Sequence, residues 1–288
     1  MLVLSLAAVV GYAFLPSGNG VITKHITSQV PTYSGILGQF APSDAVQVSY
    51  NNFTAVREVN STALPPGSYL VFTKPSANVT VQSVEQRVSV VLSAPNATVD
   101  ITLLDSDSFD SLQAAFSSTL TPIGKAGSHD LYSTTALINN TAVQTWVAFV
   151  HSPDALIFCS AKGSASAAMA RVLAVYDGSV PSLLSSSAIS RLLFAANGTD
   201  GHLGVSIQNF AGVVTTGKMT LITVDKLNAS LSVNHFVEFS NQSEAQSQID
   251  YFKRVYLGSE EFESYDDILV AIQSQPLTSL VQAIAEVG

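Results

Sequence analysis

The sequence predicts an α+β fold of two tandem related domains, each a mostly antiparallel sheet with helices packed on one face. Three observations predict it. Val48–Val56 reads VSYNNFTAV and Val205–Val213 reads VSIQNFAGV, identical at five of nine positions. Each is preceded by a short apolar, helical approach, Ile36–Ala41 in one half and Leu192–Ala195 in the other. Each half then closes on a strand followed by a helix: Asp154–Phe158 before a small-residue helix, and Asp267–Ala271 before Leu277–Val287. Similar features in the same order indicate an internal duplication. The chain divides accordingly into a signal-like or membrane-anchor segment (1–20), a linker (21–35), a first α+β repeat (36–178) and a second (179–288).

Leu2–Leu15 is uncharged and mostly apolar, and the run of Pro, Ser, Gly and Asn at 16–20 ends it. As a helix its residues would span roughly 21 Å, short of the ~30 Å hydrocarbon core of a bilayer. It resembles the apolar part of a signal peptide, although Met1 abuts it with no basic stretch before it. A longer form of the segment would serve as a membrane anchor. In the first repeat, strands are expected at Ala45–Asn51, Ser68–Thr73, Arg87–Ser93 and Thr98–Leu104, each rich in Val, Thr, Tyr or Leu and bounded by turn formers. The acidic, hydroxyl-rich run 105–108 opens a helix over Phe109–Ser117. A hairpin follows at Asp130–Ile138 and Val143–Val150, then a strand at Ala155–Ser160 and a helix carrying Met169, Val172, Leu173 and Tyr176 on one face, stopped by Gly178. The second repeat gives a helix at Ser185–Ala196, strands at Leu203–Gln208, Met219–Val224 and Leu231–Phe239, a helix at Glu244–Tyr256, a strand at Ile268–Ile272 and a helix at Leu277–Val287.

Composition points to an exterior setting. Charged residues make up 11% of the chain, less than half the usual share of about 25%. Ser and Thr, 39 and 21 residues, take up the difference. Net charge is −9 with 12 Lys+Arg scattered singly, which excludes a nucleic-acid binder and a protein docked on anionic lipid, because both need clustered basic residues. Eight Asn stand in Asn-x-Ser/Thr, where composition alone would give roughly three. Seven of them, Asn60, Asn78, Asn96, Asn139, Asn197, Asn228 and Asn241, fall at turns or element ends and are the expected glycosylation sites. The eighth, Asn52, lies in the repeated motif, and its counterpart Asn209 is not in an acceptor sequence. What the copies share is Asn52–Phe53 and Asn209–Phe210 at a strand end, so a structural duty is expected: each Asn closing a turn and each Phe packing over it. The single Cys159 sits in an apolar run and is expected in the core. Many acceptors without a cystine framework fit an archaeal surface protein better than an animal secreted one.

The run Pro42–Ala45 before the first repeated strand, and Ser182, Leu183 and Phe194 before its counterpart, resemble features of uncharacterised families of exported, membrane-anchored proteins with repeated α+β units. That resemblance implies architecture and location and carries no catalytic residues. The strongest local cluster is Asp105, Asp107 and Asp110, three carboxylates able in principle to hold a hard cation. The sixth position of a calcium loop there is Asp110 rather than Gly, and the twelfth is Phe116 rather than Glu, so helix capping is the simpler duty. The five His stand at no zinc-ligand spacing, and no nucleophile elbow or phosphate loop occurs. Asp266 and Asp267 near Glu260, Glu261 and Glu263 are expected as a solvated acidic turn rather than an acid–base pair. The expected function is therefore non-catalytic and cofactor-free: an exported, glycosylated cell-surface protein with a structural or interaction role. Its partners would be other surface proteins or copies of itself, with the membrane met only through the N-terminal segment. The alternative is an extracellular module binding a solute or peptide between the two halves; a secreted hydrolase is a third.

Overall fold

The computed structural model describes residues 21–23, 34–61, 68–94, 96–138, 140–161, 165–196, 202–209, 215–225 and 229–287. The N-terminal apolar segment and Asn139, Asn197, Asn228 and Phe210 lie outside them. The first half runs β1 (Ile22–Thr23), α1 (Ser34–Phe40), β2 (Ala45–Asn52), α2 (Phe53–Val59), β3 (Ser68–Thr73), β4 (Ser76–Thr80), β5 (Val84–Leu92), β6 (Ala97–Leu104), α3 (Ser106–Thr119), β7 (Gly124–Ala126), β8 (His129–Ile138), β9 (Thr141–Val150), β10 (Ala155–Cys159) and α4 (Ala165–Tyr176). The second half opens on a 3-10 turn at Leu183–Ser185, then α5 (Ser187–Ala195), β11 (His202–Asn209), β12 (Thr215–Asp225), β13 (Ser230–Phe239), α6 (Gln242–Val255), β14 (Glu261–Tyr265), β15 (Ile268–Pro276), a second 3-10 turn at Leu277–Ser279, and α7 (Leu280–Val287). The fold is thus mixed helix and antiparallel sheet, and β1 against β14 is its parallel pair.

The strands form one sheet in the order β1-β14-β15-β13-β12-β11-β2-β5-β6-β10-β9-β8-β3-β4, with β7 on β8. From the central β2–β11 pair outward, the first half runs β2-β5-β6-β10-β9 and the second runs β11-β12-β13-β15-β14. At that pair Ser49 faces Ser206, Val48 faces Ile207 and Tyr50 faces Val205. Among the described residues the hairpin β3–β4 and strand β8 have no counterparts in the second half; an added hairpin was expected only at 130–150, and of that hairpin β9 occupies the place that β14 holds on the other side.

Helices cover both faces of the sheet, not one. Strand β10 is buried at every residue and β15 at Ile268–Ala271, and a strand buried on both faces needs cover on both. On the first face α1, α4 and α5 enclose a core that runs through both halves, from Val99, Ile101 and Ile157 through Val48, Tyr50, Val205 and Ile207 to Leu221 and Phe236. On the second face α3 packs beneath the β3–β4 hairpin through Phe109, Leu112 and Phe116. There α7 and Val56 of α2 cover Leu203, Ile222 and Val233, and α6 covers Val237, Phe239 and Leu269.

Local chemistry sets the ends of these elements. The Asp105 carboxylate accepts from the Ser108 amide at 3.0 Å to start α3, and Asn241 accepts from Glu244 at 2.9 Å to start α6. Lys253 and Arg254 in the last turn of α6 complement its dipole. Gly178, at φ +71°, ends α4 in the left-handed conformation that glycine adopts without steric cost. Two expectations are corrected. Phe53 begins a helix rather than packing over a turn. The acidic run before Asp266 is strand β14, with Glu263 buried and accepting from the Tyr265 hydroxyl at 2.7 Å.

Candidate functional site

The alternation of each central strand sends Val48, Tyr50, Val88, Val90, Val99, Ile101, Val205, Ile207, Met219 and Leu221 into the first-face core. The residues between them project to the second face by the two-residue period. Register then aligns those residues across the sheet. Asp100 pairs with Ser89, Ser89 with Ser49, Ser49 with Ser206, Ser206 with Thr220, and Thr220 with His235. Five inter-strand steps of about 4.8 Å make this polar row roughly 24 Å long. A second row beside it holds Thr98, Val91, Gln47, Gln208 and Lys218. Helices α2 and α7 cover the far ends of these strands, near Gly204 and Ile222, and in the middle of the long row Ser49 and Ser89 are buried.

Both ends of the long polar row are tied down by side-chain contacts. At one, Arg87 donates to Asp100 through Nη2 at 2.7 Å and Nε at 3.1 Å, and its guanidinium carbon lies 5.5 Å from the centre of the Tyr69 ring. Burial pushes the Tyr69 phenol up, with Arg87 opposing. At the other end Thr220 Oγ1 and His235 Nδ1 are 3.1 Å apart, and the His235 and Tyr256 rings stack with centroids 4.8 Å apart. Ser206, Gln208, Lys218, Thr220 and Tyr256 line a cavity there of about 210 Å³. Burial raises the Tyr256 phenol too. A second cavity, about 280 Å³, lies where the halves meet, between Ala55, Glu58 and Val59 of α2 and Leu203, Val224, Asp225 and Leu277.

On the first face Arg191 of α5 holds two buried carboxylates. Its Nη1 donates to Asp267 Oδ2 at 2.8 Å, its Nη2 donates to Asp267 Oδ1, and Nη1 lies 3.8 Å from Glu238 Oε1. Thr216 donates to Glu238 Oε2 at 2.7 Å. Asp267, expected in a solvated turn, is 7% exposed. This is an ion-pair network that ties α5 to the sheet.

The structure places the residues singled out in the sequence as follows. Asp105 spends its carboxylate as a cap, while Asp107 and Asp110 are exposed on α3. No cluster of His, Cys, Asp or Glu able to hold a metal ion occurs among the described residues. Cys159 is buried, and burial raises its thiol pKa. Asn78, Asn96 and Asn241 are exposed, in β4, in the β5–β6 turn and at the cap of α6, and Asn60 is half-buried at the end of α2. Asn52 caps α2, accepting from the Ala55 amide at 2.9 Å. Its bond reaches three residues on, as in a helix cap, rather than two, as in the turn expected. Asn209 ends β11 and is half-buried. Replacing Asn52 by Ala is expected to cost about 1 kcal/mol, the usual loss of an N-cap, measured by urea unfolding; no change would mean that the cap is idle. Sequence reasoning missed the polar row. Its signal was the polar half of each alternating strand, which only the strand register brings together.

No family model and no curated protein matches the chain. Among solved structures, crystal form I of TP0453 matches with a TM-score of 0.48 at 10% identity, covering 91% of this chain and 99% of that one. Crystal form IV of TP0453 matches at 0.47 and 8%, covering 85% and 97%. Among the described residues no helix is long and apolar enough to cross a membrane.

Proposed function

We propose that the chain is an exported, N-glycosylated cell-surface protein of two related α+β repeats, held near the membrane through residues 1–20, whose role is interaction rather than catalysis. The observation that carries the interaction role is the polar row, built half from each repeat and crossing the seam between them, with a cavity of about 210 Å³ at its Ser206–Tyr256 end. The duplication is supported by the central pair. Ser49 and Ser206, equivalent positions of the repeated motif, face each other, so the two copies pair about a two-fold axis as identical subunits do across an isologous interface. The shared strand order on either side of that pair supports it as well. The surface setting rests on the excess of glycan acceptors and on the exposure of Asn78, Asn96 and Asn241.

Glycopeptide mass spectrometry on native material tests the setting. Sugar is expected at Asn60, Asn78, Asn96 and Asn241, and Asn52 is expected bare, because its side chain is half-buried at a helix cap. Bare peptides at most of the exposed sites would remove the surface assignment. The 280 Å³ seam cavity supports a second reading, a module that binds a small solute between the halves. Mass measurement of the purified protein separates the two: self-association favours a coat or adhesion role, and a strict monomer favours the solute binder.

A further inference from the structure

We infer that the C-terminal end of α6 is a second membrane contact, at which Tyr251, Val255 and Leu257 enter the interface of an electrically neutral bilayer. The inference rests on the reading of residues 1–20 as a membrane anchor and adds to it a contact made by the folded domain. Exposure is the first argument. Among the described residues six large apolar side chains are exposed, and three of them fall within seven positions: Tyr251 at 60%, Val255 at 52% and Leu257 at 79%. Tyr251 and Val255 stand four apart on α6 and share one side of it, and Leu257 follows in the turn after the helix. The inner side of α6 is already covered, with Ala245 and Phe252 packed among Val237, Phe239 and Leu269. Grouped apolar side chains left in water mark a protein or membrane contact.

Topology says what covers them. Strand β1 runs parallel to β14, with Ile22 beside Glu263 and Thr23 beside Ser264. The chain therefore reaches the sheet from the Glu261 end of β14. That end comes four residues after Leu257, at most about 14 Å of chain. On the other side Leu15, the last residue of the apolar run, stands six residues before Val21, at most roughly 21 Å of chain. An anchor tethered this closely brings the end of α6 to the surface that the anchor enters. Leu2–Leu15 would itself span roughly 21 Å as a helix, short of the ~30 Å hydrocarbon core, and stable attachment by short apolar elements takes two signals.

Chemistry favours a bilayer over a protein partner. Tyrosine, with an apolar ring and a polar tip, suits the boundary between lipid and water. The Lys253 ammonium lies 5.8 Å from the centre of the Phe262 ring, and its long stem can keep the charge on the water side. Asp250 and Glu260 balance Lys253 and Arg254 in this stretch, so the contact calls for no anionic lipid. Three side chains fall far short of the 20–30 residues a side of a stable protein interface, whereas a bilayer needs no matching surface. Asn241, an expected glycan site, caps the opposite end of α6, about 21 Å along the axis from Val255. The contact is therefore made by one end of the helix and not by its whole length.

The test uses the full chain mixed with phosphatidylcholine vesicles. Cys159 is 1% exposed, so Leu257→Cys can be labelled alone with an environment-sensitive dye. The dye should shift to the blue and be quenched by lipids spin-labelled near the headgroup. The same dye at Ile123→Cys, a site 48% exposed in the first half, should stay in water. Tyr251→Asp combined with Leu257→Asp should lower the vesicle partition coefficient about tenfold while the melting transition persists. Vesicle-bound protein whose dye at 257 remains in water, or an unchanged partition coefficient in the folded double variant, would overturn the proposal and leave the N-terminal anchor standing. Protein that does not bind vesicles at all overturns both. A blue shift that needs no lipid and grows with protein concentration would assign the patch to a second copy. One that appears only when phosphatidylglycerol is added would assign the contact to Lys253 and Arg254, and either result overturns the proposal as well.

Discussion

Replacing Phe116 by Ala should cost about 4 kcal/mol, the size typical of emptying a buried aromatic site. Phe116 lies on the inner side of α3 with no exposed area. It meets three rings from three strands: Phe72 of β3 edge-on at 5.1 Å, Phe149 of β9 at 5.4 Å and Tyr132 of β8 at 6.0 Å. Each edge-to-face pair adds on the order of 0.5–1.5 kcal/mol beyond area burial. The ring therefore pins the β3–β4 hairpin and the outer strands to one helix, and little else in this cluster can move in to fill the gap. Guanidinium unfolding reads the loss. Hydrogen exchange should show the hairpin amides losing protection before those of the central strands. Phe116→Leu, which keeps most of the volume, should cost about 1–2 kcal/mol. A loss below 1 kcal/mol in the Ala variant would mean that α3 is dispensable for this half.

How much of this was visible in the chain differs by element. Strands with strong alternation, such as Val205–Gln208, and the helix opened by Asp105 carry their own local signals, and the structure has them with small changes of boundary. The helix at Phe53–Val59 carries three β-branched residues and was hidden by its weak propensity; it forms because Asn52 caps it and Val56 is buried against Leu203 and Ile284. Strand β14 looked like a loop because three of its neighbours are acidic, and pairing with β15 overrides that. The candidate site is less visible still. Ser49 reads as the polar half of an ordinary strand, and nothing local shows that Ser89, Ser206 and Thr220 stand in line with it. Register is set by pairing between distant segments, so a site made by register is invisible strand by strand. Arg191 is a similar case: its partners Glu238 and Asp267 lie far along the chain, and no spacing links them.

Arg191→Ala should destabilise the protein by about 3 kcal/mol at neutral pH. Removing one partner of a buried pair typically costs 3–5 kcal/mol because the other charge is left stranded. The lower end applies here because the Arg191 side chain is 37% exposed and its pairing is partly screened by water. Two carboxylates would be stranded, at Glu238 and Asp267, with exposures of 3% and 7%. The effect should depend on pH through Glu238. Burial raises its pKa above the usual 4.5, while Thr216 and Arg191 pull it down and Asp267 pushes it up. An acid whose folded pKa is raised contributes stability that is fully present below its unfolded pKa and is lost as pH rises through the folded one. Deleting Arg191 removes one of the two groups holding that pKa down, so the folded pKa climbs and the penalty at neutral pH grows. Lowering the pH toward 4.5 should then recover part of the loss in the variant, and more than the same change alters the parent protein. Adding Glu238→Gln to the Ala variant should restore a similar share at pH 7, with the hydrogen bond from Thr216 kept by the amide oxygen. Urea unfolding of the three proteins at the two pH values is the measurement. An equal loss at both, with no rescue by the amide, would show that Arg191 acts by packing against Asp267 and leaves Glu238 untouched.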